Sequence, residues 1–230
     1  MRLILTFIFI LNGFTIFGYC PNNLTPQESL DRLLKGNERF SKDLLTHPDR
    51  QKDRREASVE GQCPFAVVLG CADSRIPPEI VFDEGIGDIF TVRVAGNVVG
   101  PIELESIEFS VVVFKSNVIM VLGHENCGAV KAVMTNQTAD IKNIAALIQP
   151  SVEPLKGKSL QEGVKANVLN MVKKLKENPL LQKYINEGKL LIVGGYYNLG
   201  SGKVEILTQE KTDNQKLEIE KKALEPVLKD

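Results

Sequence analysis

Histidine is scarce in this chain: His47 and His124 are the only two among 230 residues, and tryptophan is absent altogether. Any chemistry that needs an imidazole therefore has two places to reside. An excess of charge of either sign is also missing, since 28 lysines and arginines stand against 29 aspartates and glutamates. No overall field draws such a chain to nucleic acid or to an anionic membrane surface. A small substrate of little charge fits that balance. There is no internal repeat, low-complexity tract or glycine/serine-rich linker in the body of the sequence. The length suffices for one sizeable core and is short for two, so a single globular domain over residues 20–208 is expected.

Long hydrophobic runs are missing too, except at the N-terminus. There Arg2 precedes the apolar run Leu3 to Leu11, Asn12 and Gly13 interrupt it, and the small Gly18 comes shortly before Cys20. The run falls short of the roughly 20 apolar residues that span a bilayer, so no stable transmembrane anchor is expected. The order of features is that of a cleaved secretory signal over residues 1–19, which implies an exported chain, periplasmic or secreted. A signal-anchor helix and a buried N-terminal strand are the plainer alternatives. Lipid anchoring through Cys20 is disfavoured because the bulky Tyr19 stands where such signals carry a small residue. At the other end, residues 209–230 are rich in lysine and glutamate and read as a solvated helix or arm.

Between these ends, short apolar runs alternate with helical spacing. Residues 65–69 (FAVVL), 89–94 (IFTVRV), 118–122 (VIMVL) and 190–193 (LLIV) are near-continuously apolar, as strands covered on both faces are. Residues 102–115, 127–134 and 160–175 read as helices. Thr25 followed by Pro26, with Leu30, Leu33, Leu34 and Phe40 at helical intervals, predicts an amphipathic N-terminal helix. The turn-like Asn198 to Gly202 leads into a last run over 203–207, which adds an antiparallel edge strand. The expected fold is α/β: a central, mainly parallel sheet of about four parallel strands plus an antiparallel edge strand, flanked by helices, with a projecting N-terminal helix.

In open parallel sheets, ligands collect beyond the carboxyl ends of the strands. Cys71 and His124 fall just past the ends of two predicted strands, so a shared site is plausible. His124-Glu125-Asn126-Cys127 puts an imidazole and a thiol three residues apart at a strand-to-helix turn. Taken alone, that spacing is a weak signal, which a structural histidine beside a buried cysteine explains more readily. Zinc favours thiolate and imidazole ligands, and a catalytic site keeps its fourth position open.

Cys71-Ala72-Asp73-Ser74-Arg75, paired downstream with His124 and Cys127, resembles the two-part hallmark of the β-carbonic anhydrases. The likeness extends over roughly residues 26–207, through Gly61-Gln62-Cys63-Pro64, Phe82-Asp83, Val94-Ala95-Gly96-Asn97 and the stretch 195–207. It implies one zinc ion per subunit on Cys71, His124 and Cys127, and an Asp73/Arg75 pair governing the open metal position. Arg75 would hold the Asp73 carboxylate through a fork of donors and keep it off the metal. The implied reaction is hydration of carbon dioxide to bicarbonate by zinc-bound hydroxide, in a homodimer or a higher even oligomer, with the N-terminal helix reaching a second subunit.

Gln62 and Phe90 match the family's pocket glutamine and phenylalanine by their offsets from Cys71. Phe109 stands where many relatives carry tyrosine, keeping the ring and losing a hydroxyl; core packing is the plain alternative for both phenylalanines. Gly96 and Asn97 are expected to shape a turn near the metal without a catalytic role. Some relatives have a regulatory bicarbonate site that includes tryptophan, and it is not expected here. Two other readings stay open: the same fold acting on a related small molecule such as carbon disulfide, or a noncatalytic zinc-binding interaction protein. Assigning two of the four cysteines to zinc leaves Cys20 and Cys63, which could bond to each other, although Cys63 is expected to be free or variable.

Overall fold

The computed structural model describes residues 23–155 and 157–208; the predicted signal segment, Cys20 and the charged tail lie outside them. The first half comprises α1 (Pro26–Ser41), α2 (Lys52–Ala57), β1 (Ala66–Gly70), α3 (Pro78–Val81), β2 (Ile89–Arg93) and α4 (Pro101–Phe109). A 3-10 turn at Ala95–Asn97 precedes α4, and a π-helical turn over Ser110–Phe114 continues it. The second half comprises β3 (Val118–His124), α5 (Gly128–Met134), α6 (Lys142–Val152), α7 (Leu160–Lys176), α8 (Pro179–Asn186), β4 (Leu191–Tyr197) and β5 (Val204–Thr208).

The strands form one sheet in the order β2-β1-β3-β4-β5. The first four are parallel, and β5 pairs antiparallel with β4 at the edge, as the run pattern predicts. β1, β3 and β4 are buried at every residue, because parallel strands joined by helical crossovers are covered on both faces. β3 and β4 run beyond their predicted ends at 122 and 193. Gly123 pairs with Tyr196 and His124 with Tyr197, and backbone pairing of this kind does not require the aliphatic run that marked the strands in the sequence. His124 is therefore the last residue of β3 itself.

Among the described residues, four helices have no counterpart in the predicted pattern: α2, α3, α6 and α8. α6 carries Pro150 inside its last turns, which breaks the helical signal. α8 is short and depends on local capping, with the Asn178 Oδ1 accepting from Leu181 N at 3.0 Å and Pro179 in the first turn.

The N-terminal helix forms as its sequence predicts, with a capping box between Thr25 and Glu28. It does not stand free of its own domain. Leu30 and Leu33 are fully buried, and Asn37 Nδ2 donates to Val81 O and Gly202 O at 3.1 and 2.8 Å. Arg32 and Arg39 pair with the buried Glu84 and Asp83 at 2.5 and 2.7 Å. An amphipathic stripe buries against the nearest apolar surface, and here that surface belongs to the same chain.

Candidate metal centre

Strand register brings the three predicted ligands together. Gly70 at the end of β1 lies opposite Leu122 of β3, so Cys71, the next residue, emerges beside the last turn of β3 where His124 ends the strand. Cys127 then caps α5 from the following loop. The two sulfurs and an imidazole nitrogen lie within 4.8 Å of one another, and all three residues are buried.

The imidazole is oriented for ligation. His124 Nδ1 lies 2.9 Å from the Glu125 carbonyl, which only accepts, so Nδ1 carries the proton and Nε2 presents a lone pair. Nε2 is fully buried and has no hydrogen-bond partner. An orphaned acceptor in a dry site is costly unless something positive meets it. Two sulfurs and one imidazole form a donor set that suits zinc and leaves a fourth tetrahedral position for solvent.

Hydrogen bonding to Cys127 draws the Cys71 thiol down to about 4, with further help from the Gly96 and Asp73 amides. The same bond, together with burial, pushes the Cys127 thiol up. The protein alone thus favours one thiolate, and a bound dication would supply the charge that makes the second.

Asp73 and Arg75 form the expected fork. Arg75 Nε donates to Oδ1 at 2.9 Å and Nη2 to Oδ2 at 2.7 Å, while the Arg75 backbone N–H adds a third bond at 3.0 Å. Those bonds from Arg75 hold the Asp73 carboxyl well below the usual carboxylate range. One contributor, Arg93, was not read from the sequence. Arg93, opposite Gly70 at the end of β2, donates to Cys71 O at 3.0 Å and Asp73 O at 2.5 Å, bracing both ends of the ligand loop. Its only sequence signal is a lone charge inside an apolar strand. The Gly96 N–H lies 3.2 Å from the Cys71 sulfur, within the turn expected near the metal.

The predicted pocket residues lie elsewhere. Phe90 pairs with Val67, four residues before Cys71, or about 13 Å back along the strand at ~3.3 Å per residue. Phe114 joins Phe90 and Phe109, its ring centroid 6.0 and 5.3 Å from theirs, while Phe109 itself is 44% exposed. Gln62 is exposed in the loop that enters β1. All three therefore gather toward the amino end of the parallel strands, and the metal ligands at the carboxyl end. Cys63, expected to be free or variable, is instead disulfide-bonded. It is exposed in the same loop, within reach of a partner, whereas Cys71 and Cys127 are buried free thiols; Cys20 lies outside the described residues.

The sequence model of the family described as carbonic anhydrase matches residues 66–204. A carbonic anhydrase of Mycolicibacterium smegmatis is 36% identical over 196 residues, covering 80% of this chain and 94% of that protein. Carbonic anhydrase 2 of Mycobacterium tuberculosis is 37% identical over 193 residues, covering 79% and 92%. Among solved structures, the Coccomyxa β-carbonic anhydrase in complex with acetazolamide matches with a TM-score of 0.61 at 28% identity, over 77% of this chain and 86% of that one. Sheet order, the convergent cysteines and histidine, the forked Asp73 and these likenesses have one common account: the chain belongs to the β-carbonic anhydrases, a family of lyases.

Proposed function

We propose that this protein catalyses the reversible hydration of carbon dioxide to bicarbonate and a proton, with one zinc ion per subunit held by Cys71, His124 and Cys127. The observation that carries the reading is the buried, partnerless His124 Nε2 facing two cysteine sulfurs, with the clamped Asp73 carboxylate 3.9 Å away. When bound, zinc supplies the Lewis acidity that makes a nucleophile of water near neutral pH. The chain's own groups do the rest. Asp73 Oδ2 accepts a hydrogen bond from the attacking water and orients its lone pair. Arg75 keeps that carboxylate ionised, so that it accepts and does not donate, and holds it away from the ligand set. Arg93 fixes the loop that carries both Cys71 and Asp73.

The same reading assigns the carbon dioxide pocket to two copies of the chain. Gln62, Phe90 and Phe109 are too far from their own Cys71 to line its site, and a second subunit in a homodimer brings them there. The exposed Phe109 and the 76% exposed Ile102 on α4 leave apolar surface for such a contact. A small, largely apolar pocket with one amide donor suits an uncharged linear molecule. Export completes the proposal: the Arg2-led apolar segment has the order of a signal, and a disulfide at Cys63 suits an oxidising compartment.

Zinc stoichiometry and carbon dioxide hydration measured on one purified sample test the core of this. About one zinc per chain with rapid hydration is expected. Hydration activity that survives complete removal of zinc rejects it, and turnover of carbon disulfide in place of carbon dioxide redirects the substrate assignment. Cell fractionation with N-terminal sequencing of the mature chain tests export.

A further inference from the structure

Helix α7 buries an apolar stripe of Val164, Val168, Met171, Val172 and Leu175 against the sheet, and one polar residue interrupts it. Asn167 is fully buried there. Its Nδ2 donates to the Gly96 carbonyl at 2.8 Å, across a separation of 71 residues. Gly96 in turn donates its N–H to the Cys71 sulfur at 3.2 Å.

Gly96 needs holding. It sits at φ +76° in the 3-10 turn, and it has no side chain to fix the peptide planes on either side of it. A Cβ at this position would lie 2.8 Å from Ile148 Cδ1, so the turn is closely packed as well as left-handed. The neighbouring Asn97 does not supply the restraint, because both polar atoms of its side chain are buried without a partner. α7 can approach this closely because residue 123, just before His124, is a glycine: a Cβ there would meet Val168 Cγ2 at 2.5 Å.

We propose that Asn167 is a positioning residue of the metal centre, acting through Gly96: by holding the Gly96 carbonyl it keeps the N–H on the other side of the same Cα aimed at the Cys71 sulfur. This rests on the zinc reading above. A hydrogen bond to a ligating sulfur withdraws charge from it and fixes its direction, so the residue that orients the donor tunes the metal without touching it. α7 thereby sets the electronic character of one ligand as well as covering the sheet.

The test uses the full-length protein loaded with cobalt(II), whose thiolate-to-cobalt charge-transfer band reports on sulfur. Asn167→Leu, close to the same size, is expected to move the band to longer wavelength and to weaken metal binding by about 10-fold or more. Should that variant fail to fold, Asn167→Ser must show the same direction of shift. Asn170, one turn along the same helix, bonds Ser151 Oγ at 2.9 Å and serves as the control. Asn170→Leu is expected to lower thermal stability while leaving band and affinity as in the wild type. A wild-type band and affinity in the folded Asn167 variants overturn the inference alone. A wild-type protein with no thiolate band at all sinks the zinc reading, and the inference with it.

Discussion

Asp73 Oδ2 lies 3.9 Å from His124 Nε2, while the Arg75 guanidinium holds both carboxylate oxygens. The carboxylate is thus poised beside the ligand set and restrained from joining it. Releasing the restraint with Arg75→Gln should leave zinc in place and reduce hydration by about 10- to 100-fold. Asp73→Ala should likewise spare the metal. Because the two side chains act as a unit, the double variant should be no worse than the poorer single one, which a rate measurement with parallel zinc assay checks.

Ligand loss should behave differently. Cys71→Ser and His124→Ala each remove a donor from a buried three-residue set, so zinc content and activity should fall together. Full zinc with unchanged activity in Cys71→Ser would mean that the ligand set is wrong.

Arg93 spans two carbonyls of the ligand loop with two nitrogens of one planar group. Lysine keeps the charge and loses the fork, so Arg93→Lys should lower hydration nearly as far as Arg93→Met does, each by about 10-fold. Wild-type rates in Arg93→Lys would reduce Arg93 to a simple counter-charge.

Asp83 anchors α1 away from the site. Burial alone would raise its pKa, but the Thr46 amide, Arg39, the Thr46 hydroxyl and the His47 amide outweigh it and hold the carboxyl well below its ordinary range. The unfolded chain titrates near ~3.9. Its contribution is therefore complete above about pH 4 and lost as pH falls toward the folded value. Asp83→Asn should cost about 2 kcal/mol at neutral pH and flatten the acid limb of stability, as read by urea unfolding at stepped pH.

The two-copy pocket has its own test. Mixing Cys71→Ser protein with Gln62→Ala protein under subunit exchange should restore about a quarter of wild-type turnover, since one site in each mixed dimer receives an intact metal loop and an intact pocket. A pocket built within one chain would show no gain on mixing.

Much of the molecule follows from residue order alone. Runs such as 118–122 must be strands covered on both faces, Thr25 with Glu28 starts a helix, and the residue types at 71, 73, 75, 124 and 127 carry their chemistry wherever they are placed. Those properties are local: they depend on backbone propensity, on side-chain polarity and on donor type, all readable within a few positions. Distance is not local. The β1–β2 register sets Phe90 back from Cys71 despite its family-like offset, and the same register brings Arg93 next to the ligand loop. Asn167 reaches Gly96 only because α7 packs on the sheet at Gly123. Such contacts join segments far apart in the chain, and the packing of buried side chains, which no short stretch encodes, decides which of them meet.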